Sequence, residues 1–197
     1  MRLIDESTYD AWRNAAKSEV YSQHIHPSGV DKELYDQTGK EYADKILQHV
    51  KPGDLVMDYG CGNGRILQHI RDPKVGIDIV PEAAAMIGGF TPDQYTGKVD
   101  VIYSVCVFIH NPYEICCNIL QWMHERLKPK GKLLLQMPLY REGKNPLHPM
   151  DVGVWTKAMF DKAVKDYKII EMHVNPGSFT FESIGPYHHD FHVLVKK

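Results

Sequence analysis

The chain has 197 residues, a formal net charge of −2, and Lys and Arg scattered rather than clustered. That length suits one domain with a substantial core, and so weak a charge supplies no field to draw in nucleic acid. There is no apolar run of membrane-spanning length, no apolar export-signal centre after Met1-Arg2-Leu3-Ile4, and no C-x-x-C pair among four cysteines, so the expected setting is a reducing cytoplasm without membrane or nucleic-acid partners.

Residues 1–37 read as a helical cap, with a helix from about Thr8 to Val20. Thr38-Gly39-Lys40-Glu41 has capping-box spacing, and Tyr42, Ile46, Leu47 and Val50 follow on one helical face. After the turn Lys51-Pro52-Gly53-Asp54, Leu55 to Tyr59 forms a first strand. A short helix is expected from near Gly64 to Asp72-Pro73, then a second strand from Val75 to Val80. Pro81 suits the first residue of the next helix. Only twenty-one residues separate Asp78 from Asp100, so a third strand in that interval is short or missing. Val99 to Val105 reads as another buried strand. Asn111, Pro112 and Glu114 offer an N-cap, a proline at N1 and a glutamate at N3 of a helix. Ile115, Ile119, Leu120, Met123 and Leu127 give that helix a buried stripe.

The turn Pro129-Lys130-Gly131 precedes a strand from Leu133 to Met137. A polar, Pro-rich stretch from Pro138 to Val152 follows, a natural lid. A helix around Trp155 to Tyr167 and strands at Lys168 to Val174 and Phe191 to Val195 complete the chain. No helix-like segment separates the last two strands, so they are expected to pair antiparallel. The alternation predicts an α/β fold, with a doubly wound, mostly parallel sheet of six to seven strands. The expected organisation is one domain over residues 1–197, with the 1–37 cap on a 38–197 core.

The most informative segment is Val56-Met57-Asp58-Tyr59-Gly60-Cys61-Gly62-Asn63-Gly64-Arg65-Ile66, a strand, a glycine turn and an apolar helix start. Glycines at alternate positions let another molecule lie against the backbone. Dinucleotide-binding turns read G-x-G-x-x-G, and Arg65 stands where their third glycine belongs. The observed Asp-x-Gly-x-Gly-x-Gly instead resembles motif I of the class I S-adenosylmethionine (SAM) dependent methyltransferases. Asp78 at the end of the second strand, the segment Asp100 to His110, and Leu127-Lys128-Pro129-Lys130-Gly131 match that family's later motifs in order. The matched motifs lie within residues 38 to 138.

This resemblance implies a Rossmann-like core, SAM as cofactor and methyl transfer as the activity. It implies that Asp58, Tyr59, Gly60, Cys61, Gly62, Asn63 and Arg65 form the cofactor loop, with Asp58 bonding the methionine ammonium directly or through water. Asp78 would accept the ribose hydroxyls, with Ile79 beside the adenine. Ser104 and Val105 would line the pocket, and Phe108 would sit close to the transferred methyl. Longer members bond the adenine amino group with an acid after strand three; here Asp93 or Gln94 is the candidate replacement.

A hydroxyl acceptor loses a proton on methylation, which calls for a base titrating near neutrality. His110 is the candidate, and its alternative reading is a histidine packed at a helix start. Tyr21, His24 and His26 in the cap, and Tyr140, Arg141 and His148 in the lid, are candidate acceptor contacts. His188, His189 and His192 read as surface residues or the rim of that site. His24-Ile25-His26 has no adjacent acidic partner, and no metal is expected. Asn111-Pro112-Tyr113 is similar to the Asn-Pro-Pro-Tyr of amino-methylating nucleic-acid enzymes, but it lacks the second proline and lies past the strand end. A helix cap accounts for it. Val107-Phe108-Ile109-His110 together with Gln136 looks like the small-molecule and sugar-modifying members. The expected activity is therefore O-methylation of a sugar or another metabolite by a monomer or homodimer. A non-catalytic SAM-binding scaffold and a nicotinamide-dependent oxidoreductase are the alternatives.

Overall fold

The computed structural model describes residues 2–4, 6–25, 27–139, 155–173 and 188–197. Helices α1 (Glu6–Ala16), α2 (Tyr21–Ile25) and α3 (Lys32–Leu47) precede strand β1 (Val56–Tyr59). Strand β2 (Lys74–Ile77), helix α4 (Pro81–Met86), strand β3 (Val99–Ser104) and helix α5 (Tyr113–Arg126) follow. Strand β4 (Leu127–Leu139), helix α6 (Lys157–Ala163) and strands β5 (Tyr167–His173) and β6 (His188–Lys196) complete the described elements.

These strands form a six-stranded sheet in the order β2-β1-β3-β4-β6-β5. The first four are parallel, and β6 runs antiparallel to both β4 and β5. The expected doubly wound sheet with a C-terminal antiparallel pair is thus the observed one. Alternate residues of each strand enter opposite cores, as a pleated strand requires. Met57, Ile102, Leu133 and Leu194 pack under α5 and α6, whose contributions include Trp122, Met123 and Phe160. Val56, Val101, Leu134 and Val193 pack under Tyr42, Ala43 and Ile46 of α3.

Between Asp78 and Asp100 the expected short strand reduces to a single parallel bridge, Ile77 to Phe90. Several local expectations are corrected. Helix α3 begins at Lys32, capped by the Asp31 carboxylate on the Leu34 N–H at 3.0 Å, so the capping-box spacing at Thr38 lies inside the helix. The Thr38 hydroxyl donates to the Tyr35 carbonyl instead. The expected boundary after residue 37 therefore falls within one helix. Asp31→Ala is expected to cost about 1 kcal/mol, measurable by urea unfolding; an unchanged midpoint would mean that the cap contributes nothing.

The helix expected after the glycine loop is only a single 3₁₀ turn, Leu67–His69. Pro129-Lys130-Gly131 interrupts no strand: it forms an irregularity within β4, where Leu127 pairs with Val99 and Lys132 with Val101. Asn111 does not cap α5. Pro112 holds that position, and the Asn111 amide donates to the Val107 carbonyl at 3.0 Å. His192, expected at the surface, is fully buried with its ring 4.5 Å from that of Phe160.

Sheet order also fixes where a ligand can sit. The chain leaves β1 toward β2 and then returns to the other side of β1 to make β3. The two departures splay apart at the carboxyl ends of β1 and β3, and that divergence opens a crevice. The glycine loop and the segment after β3 form its two lips.

Candidate cofactor and acceptor site

Gly60, Gly62 and Gly64 have φ of 81°, 52° and 82°, in the left-handed region that side chains disfavour. Gly60 faces a second constraint, because a Cβ there would lie 2.2 Å from Cγ2 of Val107 on the opposite lip. Gly60→Ala is expected to lower stability by about 2–3 kcal/mol. Thermal melts test this, and a wild-type melting temperature would mean that Val107 yields without cost.

The loop is tied down by its neighbours. The N–H groups of Gly60 and Cys61 donate to the Ile77 carbonyl at 2.7 and 3.1 Å. One Asp78 carboxylate oxygen accepts from the Gly62 N–H and the other from the Val80 N–H, each at 2.9 Å. Burial pushes the Asp78 carboxyl above its ordinary range, and these backbone donors pull against that shift.

Asp58 sits one position before the end of β1, directly opposite Tyr103 in the parallel register. Neighbours in register share a face, so the Tyr103 hydroxyl reaches the Asp58 carboxylate at 2.8 Å. Asp58 is only 3% exposed. Burial pushes its carboxyl up to about 7, with Tyr103 and Arg65 pulling it down and Asp78 adding to the rise.

A cavity opens between the lips. Asp58, Tyr59, Gly60, Cys61, Gly62 and Arg65 line it from the loop, and Asp78, Ile79 and Val80 from the end of β2. Val105, Cys106, Val107, His110 and Asn111 line it from the segment after β3. The N-terminal residues Leu3, Ile4, Trp12, Tyr21 and Ile25 close it. Trp12 meets the His110 ring edge-on at 5.2 Å, and the Thr8 hydroxyl donates to the His110 carbonyl at 3.4 Å.

Some expected site residues lie elsewhere. Ser104 is fully buried and donates to the Tyr59 carbonyl at 2.9 Å, so it braces β1 against β3 rather than facing the cavity. Phe108 is also fully buried and packs edge-on against Trp155. Asn63 accepts from the Tyr35 hydroxyl at 2.9 Å and is not among the lining residues. His24 is exposed on α2 outside the lining. Asp93 and Gln94 engage Thr91 in a local turn. His26, Tyr140, Arg141 and His148 lie outside the described residues, as do the side chains of His188 and His189.

Trp12 and Tyr103 were missed by the sequence reading. Tyr9, Trp12 and Ala16 recur at i, i+3 and i+7, which marks the buried face of α1. Tyr103 carries no such signal, because its role comes from register opposite Asp58. Gln136 accepts from the Cys106 N–H at 2.9 Å and donates to the Tyr42 hydroxyl at 2.8 Å. It thereby holds Cys106 at φ 60°, a strained conformation that turns the chain off β3 toward Val107.

The sequence profile described as the methyltransferase domain matches residues 33–166. The chain belongs to the class I SAM-dependent methyltransferases. It is 26% identical over 165 residues to the ribosomal protein L11 methyltransferase of Paraburkholderia xenovorans, covering 74% of this chain and 53% of that protein. The chain thus spans about half the length of the curated relatives it matches. In fold it is similar to the cyclopropane synthase MmaA2 of Mycobacterium tuberculosis, with a TM-score of 0.71 at 15% identity, over 98% of this chain and 99% of that one. It is also similar to the magnesium protoporphyrin IX methyltransferase of Synechocystis PCC 6803 with bound SAH, with a TM-score of 0.63 at 18% identity, over 98% and 95% of the two chains.

The residues of this methyltransferase fit SAM. The cradle at Gly60 is one that a Cβ would fill, and carboxylates end β1 and β2 on either side of it. No helix among the described residues is long and apolar enough to cross a membrane.

Proposed function

We propose that this methyltransferase methylates a hydroxyl of a small molecule, a sugar or another metabolite, with His110 as the general base. The observation that carries the reading is His110 itself, the one imidazole lining the cavity among the described residues. When bound, SAM supplies a methyl group already activated by its sulfonium. The protein's share of the work is to orient the acceptor, exclude water and take up the hydroxyl proton.

Asp58 would hold the ammonium of the cofactor and Asp78 its ribose, with Tyr59, Gly60, Cys61 and Gly62 against the cofactor and Ile79 and Val105 flanking it. Leu3, Ile4, Trp12 and Ile25 give the N-terminal wall an apolar surface that strips water from the entering acceptor. Tyr21, buried in the same wall, supplies a hydroxyl for orientation. A cavity walled on that side by Leu3, Ile4, Trp12, Tyr21 and Ile25 supports a small acceptor over a folded macromolecular one.

Methyl-labelled SAM, incubated with the enzyme and a cell extract, tests the acceptor class. Label recovered in the metabolite fraction supports the reading. Label confined to protein would overturn it.

A further inference from the structure

Among the described residues, Cys106 at φ 60° and Lys130 at φ 63° are the two non-glycines with left-handed backbone. Lys130 lies exposed at the irregularity in β4, whereas Cys106 lines the cavity. That region is about tenfold disfavoured for a residue with a Cβ, so a partner must hold Cys106 there.

The Cys106 N–H and thiol both donate to one atom, Oε1 of Gln136, at 2.9 and 3.1 Å. Gln136 follows Leu134 by two residues and so shares the α3 face of β4 with it. Its Nε2 donates to the Tyr42 hydroxyl at 2.8 Å, which fixes the amide with Oε1 toward Cys106. Tyr42 is itself buried in α3. The residue that the turn delivers is Val107, whose Cγ2 lies 2.2 Å from where a Cβ on Gly60 would stand. A change of φ at Cys106 therefore moves the lip that faces the glycine loop. Gln136 does not line the cavity, so it reaches a ligand there only through Cys106.

We propose that Gln136 is a positioning residue for the cofactor. By pinning Cys106 in its left-handed conformation, it keeps Val107 packed on Gly60 and the crevice at the width that SAM needs. That role concerns the cofactor alone and is independent of the acceptor.

Calorimetry with S-adenosylhomocysteine (SAH) tests this when Gln136→Met is made in the wild-type chain, in Cys106→Ala and in Cys106→Gly. Methionine keeps the length of the side chain without the acceptor, and each loss of affinity is read against the parent that retains Gln136. The loss is expected to be about tenfold in the wild-type and Cys106→Ala backgrounds, because the turn relaxes and only the competent fraction binds. In Cys106→Gly it is expected to be no more than about twofold, because glycine enters the left-handed region as readily as the right-handed one.

An equal loss in all three backgrounds would overturn the proposal, since Gln136 would then act through packing. No loss in the wild-type chain would overturn it as well. A loss absent from Cys106→Ala would do the same, by placing the effect in the thiol rather than the backbone. If Gln136→Met leaves the wild-type chain unfolded, recovery of folding and SAH binding in Cys106→Gly but not in Cys106→Ala supports the role, and any other pattern overturns it. The acceptor reading stands or falls separately, with the labelled-methyl experiment.

Discussion

Replacing His110 with alanine is expected to lower kcat about a thousandfold and to leave the affinity for SAH within about twofold of wild type. The separation follows from how His110 is held. Its backbone N–H donates to the Val107 carbonyl at 3.2 Å and its carbonyl accepts from Thr8 at 3.4 Å, so backbone contacts help to hold the segment. The ring contributes the edge contact with Trp12 and its place in the cavity lining. Asp58, Asp78 and the glycines are fixed by other partners. Single-turnover kinetics with a hydroxyl acceptor, together with SAH calorimetry, separate the outcomes. Unchanged turnover would remove His110 from the chemistry. Equal loss of turnover and binding would make it a packing residue.

What the sequence disclosed follows the range of the forces involved. The glycine loop was legible because the backbone dihedrals and the ligand contact are satisfied by the same few consecutive residues. The sheet was legible because buried strands and amphipathic helices carry their periodicity locally. The caps were misread where two local signals competed. Asp31 and Thr38 both suit an N-cap, and the choice was made by packing: Thr38 and Gly39 are buried beneath Arg65, and the helix had to start earlier. Asn111 was misread for a related reason, since its amide found the Val107 carbonyl within the same turn.

The site was legible in outline and not in its second side. Asp58 and Asp78 end strands, and a strand end has a sequence position. Ser104, the last residue of β3, faces β1 through its place in the strand, and Phe108 packs on the α5 side after the strained turn at Cys106 redirects the chain. That turn depends on Gln136, thirty residues away in sequence. The wall opposite the loop comes from residues 3 to 25, and no local pattern says over which part of the sheet that cap will fold.

The affinity for SAH is expected to rise about a hundredfold between pH 5 and pH 7 and to level off above it, through Asp58. Its carboxyl is pushed up to about 7 by burial. In the free protein the neutral form is therefore held well above the pH at which the unfolded chain ionises. A bound ammonium requires the carboxylate, so binding below pH 7 must first release that proton, at about tenfold in affinity per pH unit. The stability of the free protein runs the opposite way. A carboxyl with a raised folded pKa contributes stability that is complete below the unfolded value and is lost as the pH climbs through about 7. Asp58→Asn carries no such charge and can still accept from Tyr103. The free variant is thus expected to exceed wild type by on the order of 4 kcal/mol at pH 8, and to match it only below about pH 4. Its SAH binding is expected to be weak throughout and nearly flat with pH. Melting curves and calorimetry across that range test both halves together. A variant that keeps the wild-type slope would assign the proton to another group, and a variant less stable than wild type at pH 8 would mean that the buried charge is compensated in the free protein.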